Sequence, residues 1–130
     1  MSATLRRPGK ALVLSPQESL TAGGAAEQLE AQIQASLKSG VAHVVVDMSH
    51  VPLIDSAGIR ALVRGHTSAH RLGRRFTLCQ PNTRVREEIG ILRLQDVLQI
   101  HDSLQAAKAS PLPWRRLLTF GDVHPGRQER

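Results

Sequence analysis

Asp55 and Ser56 stand side by side just ahead of a stretch in which Ile59, Leu62, Val63, His66 and Ala69 recur at helical spacing. A hydroxyl in the first turn of a helix lies at the surface, beside backbone N–H groups that have no partner inside the helix. Such a hydroxyl can accept a phosphoryl group. Phosphoserine brings about −1.5 to −2 charges at pH 7. The positive end of the helix favours that charge, and the neighbouring Asp55 opposes it. A plain helix cap is the commonest use of these residue types before an apolar run, and the pair suits that role equally. Gly58 has no side chain and lets another chain come close. Arg60 follows Ser56 by four residues, one turn along the same face. It is placed to pair with a phosphoserine or to shape the choice of partner.

Other residues suggest chemistry less strongly. His66 and His70 are four apart, a spacing that can hold zinc on one helix face. No glutamate of a metalloprotease motif accompanies them, and no clear third ligand follows; packing and surface histidines are the simpler reading. Ser56, a histidine and Asp102 make a catalytic triad on paper, but Ser56 lacks the Gly-x-Ser-x-Gly elbow. Gly9-Lys10 is no phosphate loop, since the preceding glycine and the following Ser or Thr are missing. Cys79 sits in a strand-like run and reads as a small buried apolar residue. A single cysteine excludes an internal disulfide and fits a reducing compartment. The expectation is a binding protein, with no enzyme activity, no metal and no cofactor of its own.

A chain of 130 residues suits one domain with a real core. Aromatics are only 2%, so that core must be aliphatic. The net charge of +6 suggests nucleic acid, but the excess gathers at the two ends. Arg6, Arg7 and Lys10 lie at one end, and Arg115, Arg116, Arg127 and Arg130 at the other. Aromatics interleaved with bases, which single-strand binders use, are absent. Direct nucleic-acid binding is therefore not expected. No apolar run approaches a membrane span, and Ala11 to Leu14 is too short for a signal-peptide core. A cytoplasmic location is the default.

The elements that must position Ser56 follow from periodicity. Ala11 to Leu14 reads as a strand, and residues 15–24 as a loop interrupted by Gly23-Gly24. Ala26, Leu29, Ile33 and Leu37 mark a helix, with Gly40 as its C-terminal glycine. Val44-Val45-Val46 is a β-branched strand apolar on both faces. The helix carrying Ser56 closes at Gly73. Phe76 to Cys79 is a strand stopped by Pro81, and Asn82 caps a helix ending near Gly90. Val97 to Ile100 is a last strand, and Asp102 or Ser103 caps a final helix to about Lys108. Regular alternation of this kind implies a largely parallel or mixed sheet. The division is a basic segment over 1–10, a domain over 11–109 and a basic tail over 110–130. In the tail, Trp114, Leu117 and Leu118 share a face beside Arg115 and Arg116 that suits docking onto the domain, with partner docking or weak membrane-surface contact as the alternatives.

The segment from Val44 through Asp47-Met48-Ser49 and Ile54-Asp55-Ser56-Ala57-Gly58-Ile59 resembles the signature of STAS domains, the family of anti-sigma factor antagonists. There a buried strand ends in Asp-x-Ser, and after a short loop an apolar-Asp-Ser-Ser/Thr-Gly-apolar box opens a helix. The resemblance covers residues 11–109. It implies an α/β single domain with a mixed sheet of four to five strands and about four helices. It implies phosphorylation of Ser56 by a partner, an anti-sigma factor serine kinase with an ATPase fold, and a reset by a PP2C-type phosphatase. ATP and magnesium would belong to the partner. The docking surface so implied is His50, Val51, Leu53, Asp55, Ser56, Ala57, Gly58 and Arg60, with the outer face of helix 57–72. Asp47 and Ser49 would end the strand and shape the loop. Three departures are visible. Ala57 replaces the usual second hydroxyl, Arg60 replaces a small residue, and the short N-terminus leaves room for no more than a stub of the family's first strand. The alternative reading is a constitutive STAS subunit of a larger assembly, such as a lipid-transport ATPase complex or a stress-signalling assembly, without phospho-switching.

Overall fold

The computed structural model describes residues 3–4 and 11–109. The trailing segment with Trp114, Leu117 and Leu118, like most of the first ten residues, lies outside the described residues. Five strands form one sheet in sequence order: β1 (Ala3–Thr4), β2 (Ala11–Leu14), β3 (His43–Asp47), β4 (Arg75–Cys79) and β5 (Gln99–His101). The stub β1 runs antiparallel to β2, and the other neighbours are parallel. The sheet thus begins ahead of Ala11, where the sequence reading starts the domain. The four helices are α1 (Ala25–Lys38), α2 (Ser56–Arg71), α3 (Thr83–Ile91) and α4 (Leu104–Lys108).

Sequential strand order and one-handed crossovers explain the layering, because they place α1, α2 and α3 on the same face. On that face Leu12, Leu14, Val44, Val46, Phe76 and Leu78 meet Leu29, Ile33, Leu37, Leu62, Val85 and Ile89 in one aliphatic core. The alternate residues point the other way. There Val13, Val45 and Cys79 pack with Ala107 of α4, which folds back across the sheet. The same second face buries a polar pair. His43 and Thr77 are both inaccessible to solvent, with Nε2 of His43 hydrogen-bonded to Oγ1 of Thr77 at 2.9 Å.

One glycine lets the main layers close. A Cβ on Gly65 of α2 would lie 2.8 Å from the Phe76 ring, so its absence lets β4 and α2 approach. The final strand falls later than Val97 to Ile100. Leu94–Asp96 winds a 3₁₀ turn after Arg93, whose φ of 59° is left-handed. Val97 and Leu98 then return their N–H groups to Leu94, so pairing starts only at Gln99. Leu98 is still buried, while Val97 is exposed. The apolar pair therefore closes a turn instead of extending a strand.

Candidate functional site

The site lies at the carboxyl ends of the parallel strands, where β3 leads into α2. Asp55 is the N-cap of α2. Its Oδ1 accepts the N–H groups of Ala57 at 2.9 Å and Gly58 at 3.1 Å. Its Oδ2 accepts the N–H of Ala22, 33 residues earlier, at 3.1 Å. The amide of Ala22 and then that of Gly58 hold the Asp55 carboxyl below its ordinary range. One side chain thus fixes the helix start and fastens the 15–24 loop to it. Leu20 completes the fastening: its N–H donates to Leu53 O at 3.0 Å, and its own carbonyl accepts from Asp55 N at 3.2 Å.

Gly58 belongs to this junction. A Cβ there would sit 2.3 Å from the Leu20 carbonyl oxygen and 2.6 Å from Ile54. The close approach that the sequence assigned to a partner chain is made by the protein's own loop. Val51 also points inward and is 1% exposed. Neither residue faces outward, which corrects their place in the docking surface expected from the resemblance. The Asp55 carboxylate oxygens are engaged as described, so its part is to position Ser56.

Ser56, the first residue of α2, is exposed, and its hydroxyl makes no hydrogen bond among the described residues. His50, Leu53 and Arg60 are exposed around it, and Ala57 is half-buried. The sequence suggested unpaired amides in this first turn, but those of Ala57, Gly58 and Ile59 are taken. Asp55 Oδ1 occupies those of Ala57 and Gly58, and Asp55 O accepts from Ile59 at 3.0 Å. A phosphate on Ser56 would meet the helix dipole, and with those three amides taken a nearby cationic side chain is its main source of charged hydrogen bonds. Arg60, one turn on and unpaired among the described residues, can supply them.

The preceding loop is shaped as Asp47 and Ser49 suggest. Asp47 Oδ1 accepts from Ser49 N at 3.0 Å, and Ser49 Oγ reaches Nδ1 of His50 at 3.2 Å. A second brace was not legible. Asn82 caps α3 by accepting from Val85 N at 2.8 Å, and its amide nitrogen donates to the carbonyls of Val51 at 3.2 Å and Pro52 at 3.1 Å. Asn82→Ala should therefore lower stability by about 1–2 kcal/mol, from a lost cap and two unsatisfied carbonyls. Asn82→Asp keeps the acceptor and loses the donors, so it should restore only part of this. Urea denaturation of the three proteins checks the ranking.

The other sequence candidates separate in space or chemistry. The His66 and His70 rings stack with centroids 6.1 Å apart. Burial, then His70, lowers the pKa of His66. No group of three His, Cys, Asp or Glu side chains suited to a metal occurs among the described residues. Cys79 is buried, and burial pushes its thiol up to about 11. Asp102 lies far along the chain in an exposed ion pair with Arg86 at 2.5 Å. A groove of about 550 Å³ between the 15–24 loop and α1 is lined by Pro16, Glu18, Leu20, Gln28, Leu29 and Gln32 among others, and by nothing from the Ser56 loop. Among the described residues no helix is long and apolar enough to cross a membrane.

Comparison with known proteins bears on the family and the fold. The STAS domain family profile matches residues 2–107. A relative from Bordetella bronchiseptica, BtrV, named as a candidate anti-sigma factor antagonist, is 31% identical over 85 residues. That match covers 65% of this chain and 73% of the relative. A candidate anti-sigma factor antagonist from Thermotoga maritima has a similar structure, with a TM-score of 0.70 and 23% identity over 75% of this chain and 83% of that one. A sulfate transporter family protein from Wolinella succinogenes shares the fold too, with a TM-score of 0.65 and 18% identity over 84% of this chain and 87% of that one.

Proposed function

The chain belongs to the STAS domain family, and from that premise we propose that it is an anti-sigma factor antagonist, a cytoplasmic binding module switched by phosphorylation of Ser56. Unphosphorylated, it sequesters an anti-sigma factor serine kinase, and the sigma factor is released. The kinase spends ATP to phosphorylate Ser56, the complex separates, and a PP2C-type phosphatase resets the switch. The chain itself catalyses nothing and carries no cofactor.

The observation that carries this reading is the setting of Ser56. Its hydroxyl is exposed and unbonded among the described residues, on a helix start held by Asp55, Leu20 and Gly58. A kinase needs such access, and a switch needs a rigid platform so that a local charge is read as a lost fit. His50 and Leu53 offer the polar and apolar contacts beside it, with Leu53 at 41% exposure. The BtrV relative's name supports the antagonist class. The fold alone decides nothing here, since it also serves a sulfate transporter family protein.

The test is incubation with lysate from its own cells plus ATP, followed by mapping of phosphate by mass spectrometry. Phosphate on Ser56, and none on Ser56→Ala, is expected. The same variant should stay locked on its partner in the presence of ATP while the wild type dissociates. An unphosphorylated Ser56 and a Ser56→Ala protein that behaves like wild type would favour the constitutive subunit instead.

A further inference from the structure

From Ser56 to Arg86 the sequence carries seven arginines and no acidic residue. Their distribution on the fold is uneven. Arg74 is held by a bond to the Leu37 carbonyl, and Arg86 pairs with Asp102. Arg60, Arg64 and Arg71 instead lie on the exposed side of α2. With Ser56 and Thr67 they stand at successive steps of three or four residues, so all five share one stripe along the helix. The stripe runs about 22 Å at the usual helical rise. Arg64 pairs with Glu30 of α1 at 2.9 Å yet keeps 59% of its side chain exposed. Arg60 and Arg71 make no ion pair among the described residues. Besides Glu30, the acids near the start of the stripe are Asp55, the cap of α2, and Glu27 in the first turn of α1, each hydrogen-bonded to backbone amides.

We infer that this arginine stripe is a docking face for an acidic protein surface. The inference rests on the antagonist reading and adds to it the chemistry of the partner. Charge complementarity selects the occupant: a linear series of cations on a rigid helix matches carboxylates on a folded surface. The apolar face of α2 is spent on the sheet, and the exposed leucines that bracket the helix, Leu53 and Leu72, stand at its opposite ends, so α2 presents no continuous apolar face to a membrane. No Phe, Tyr or Trp accompanies the arginines on α2, and its two imidazoles, His66 and His70, stack on each other, so the helix offers bases no row of stacking rings. The stripe starts at Ser56. Phosphate there both captures Arg60 and repels the partner's carboxylates, which turns one modification into two losses for the complex.

The experiment is an NMR titration of isotope-labelled protein with a decaglutamate peptide, with phosphatidylserine vesicles and a short DNA duplex as parallel probes. Shifts should centre on Arg60, Arg64, Thr67 and Arg71 and fade as NaCl is raised from about 50 to about 300 mM. Arg60→Gln with Arg71→Gln should weaken peptide binding about tenfold, as should Ser56→Glu. Shifts centred elsewhere, equal binding by the variants, or tighter binding of vesicles or duplex than of peptide would overturn the assignment. The peptide needs no kinase, so a failure to find phosphate on Ser56 and a failure of the stripe are read separately.

Discussion

Gly58→Ala should melt roughly 15 °C below the wild type, a loss of about 3 kcal/mol. In an ordinary helix the same change stabilises, by about 0.5–1 kcal/mol, because alanine has less backbone freedom to lose. Gly58 reverses the sign because its missing Cβ is where the Leu20 carbonyl rests. The new methyl would stand 2.3 Å from that oxygen and 2.6 Å from Ile54. A backbone carbonyl cannot turn aside as a flexible side chain can. The 15–24 loop must lift, and with it the bonds from Leu20 to Leu53 and Asp55 and from Ala22 to Asp55. Gly90→Ala is the matched control. Gly90 is in α3, and nothing lies within 4 Å of its would-be Cβ. It should gain the small helical increment. Thermal melts of both variants decide the matter: a Gly58→Ala protein as stable as Gly90→Ala would mean that the loop does not press on α2.

That contact also marks where the sequence stopped being readable. The helices and most strands were legible because each shows its period locally. The stripe of α1, the triple valine of β3 and the cap at Asn82 needed no distant information. The Asp-Ser-x-Gly box stood out differently, by its resemblance to the STAS signature, since the helix start alone reads equally as a plain cap. What could not be read were the pairings across long chain separations. Asp55 to Ala22 spans 33 residues, and Asn82 to Val51 spans 31. Neither leaves a periodic trace, since each depends on one side chain meeting one backbone group. The roles of Val51 and Gly58 were therefore assigned outward when they face inward.

Charge shows a related limit. Averaged over residues 11–110, acids and bases nearly cancel, which hid the arginine run from Ser56 to Arg86. The acids of the domain lie before and after that run, at Asp47, Asp55, Glu87 and Glu88 among others. Only the fold shows which arginines are consumed by local partners and which stand free on α2. The strand β5 failed for a different reason. Val97 and Leu98 have strand-like chemistry, but a left-handed Arg93 and the 3₁₀ turn claim their amides first. Propensity gave way to a local hydrogen-bonding alternative.

Acidification should weaken the fold well before the carboxylates titrate, and His43 is the reason. Its ring is inaccessible on the second face of the sheet, with Nε2 on Thr77 and Nδ1 without a partner among the described residues. Burial first, then the charge of Arg75 and that of His101, push its pKa from 6.5 down to about 4. The folded state therefore holds His43 neutral in a range where the unfolded chain binds a proton. Stability is complete above the unfolded pKa near 6.5, falls as pH drops from there, and levels off below the folded value of about 4. That lowering corresponds to about 3 kcal/mol. His66, lowered less deeply by burial and His70, adds a slope of the same sign. Asp55 and Glu27, both lowered by backbone N–H bonds, add theirs only as the pH falls toward the ordinary carboxylate range. His43→Gln removes the titrating ring and retains a polar group for Thr77. Urea denaturation at pH 7 and at about pH 4.5 should show the wild type losing about 2–3 kcal/mol more than the variant. The comparison of slopes is the decisive quantity, because the substitution will itself shift stability at both pH values. Equal slopes would mean that His43 takes up its proton in the fold as readily as in the unfolded chain, and that the second face of the sheet is wetter than its packing implies.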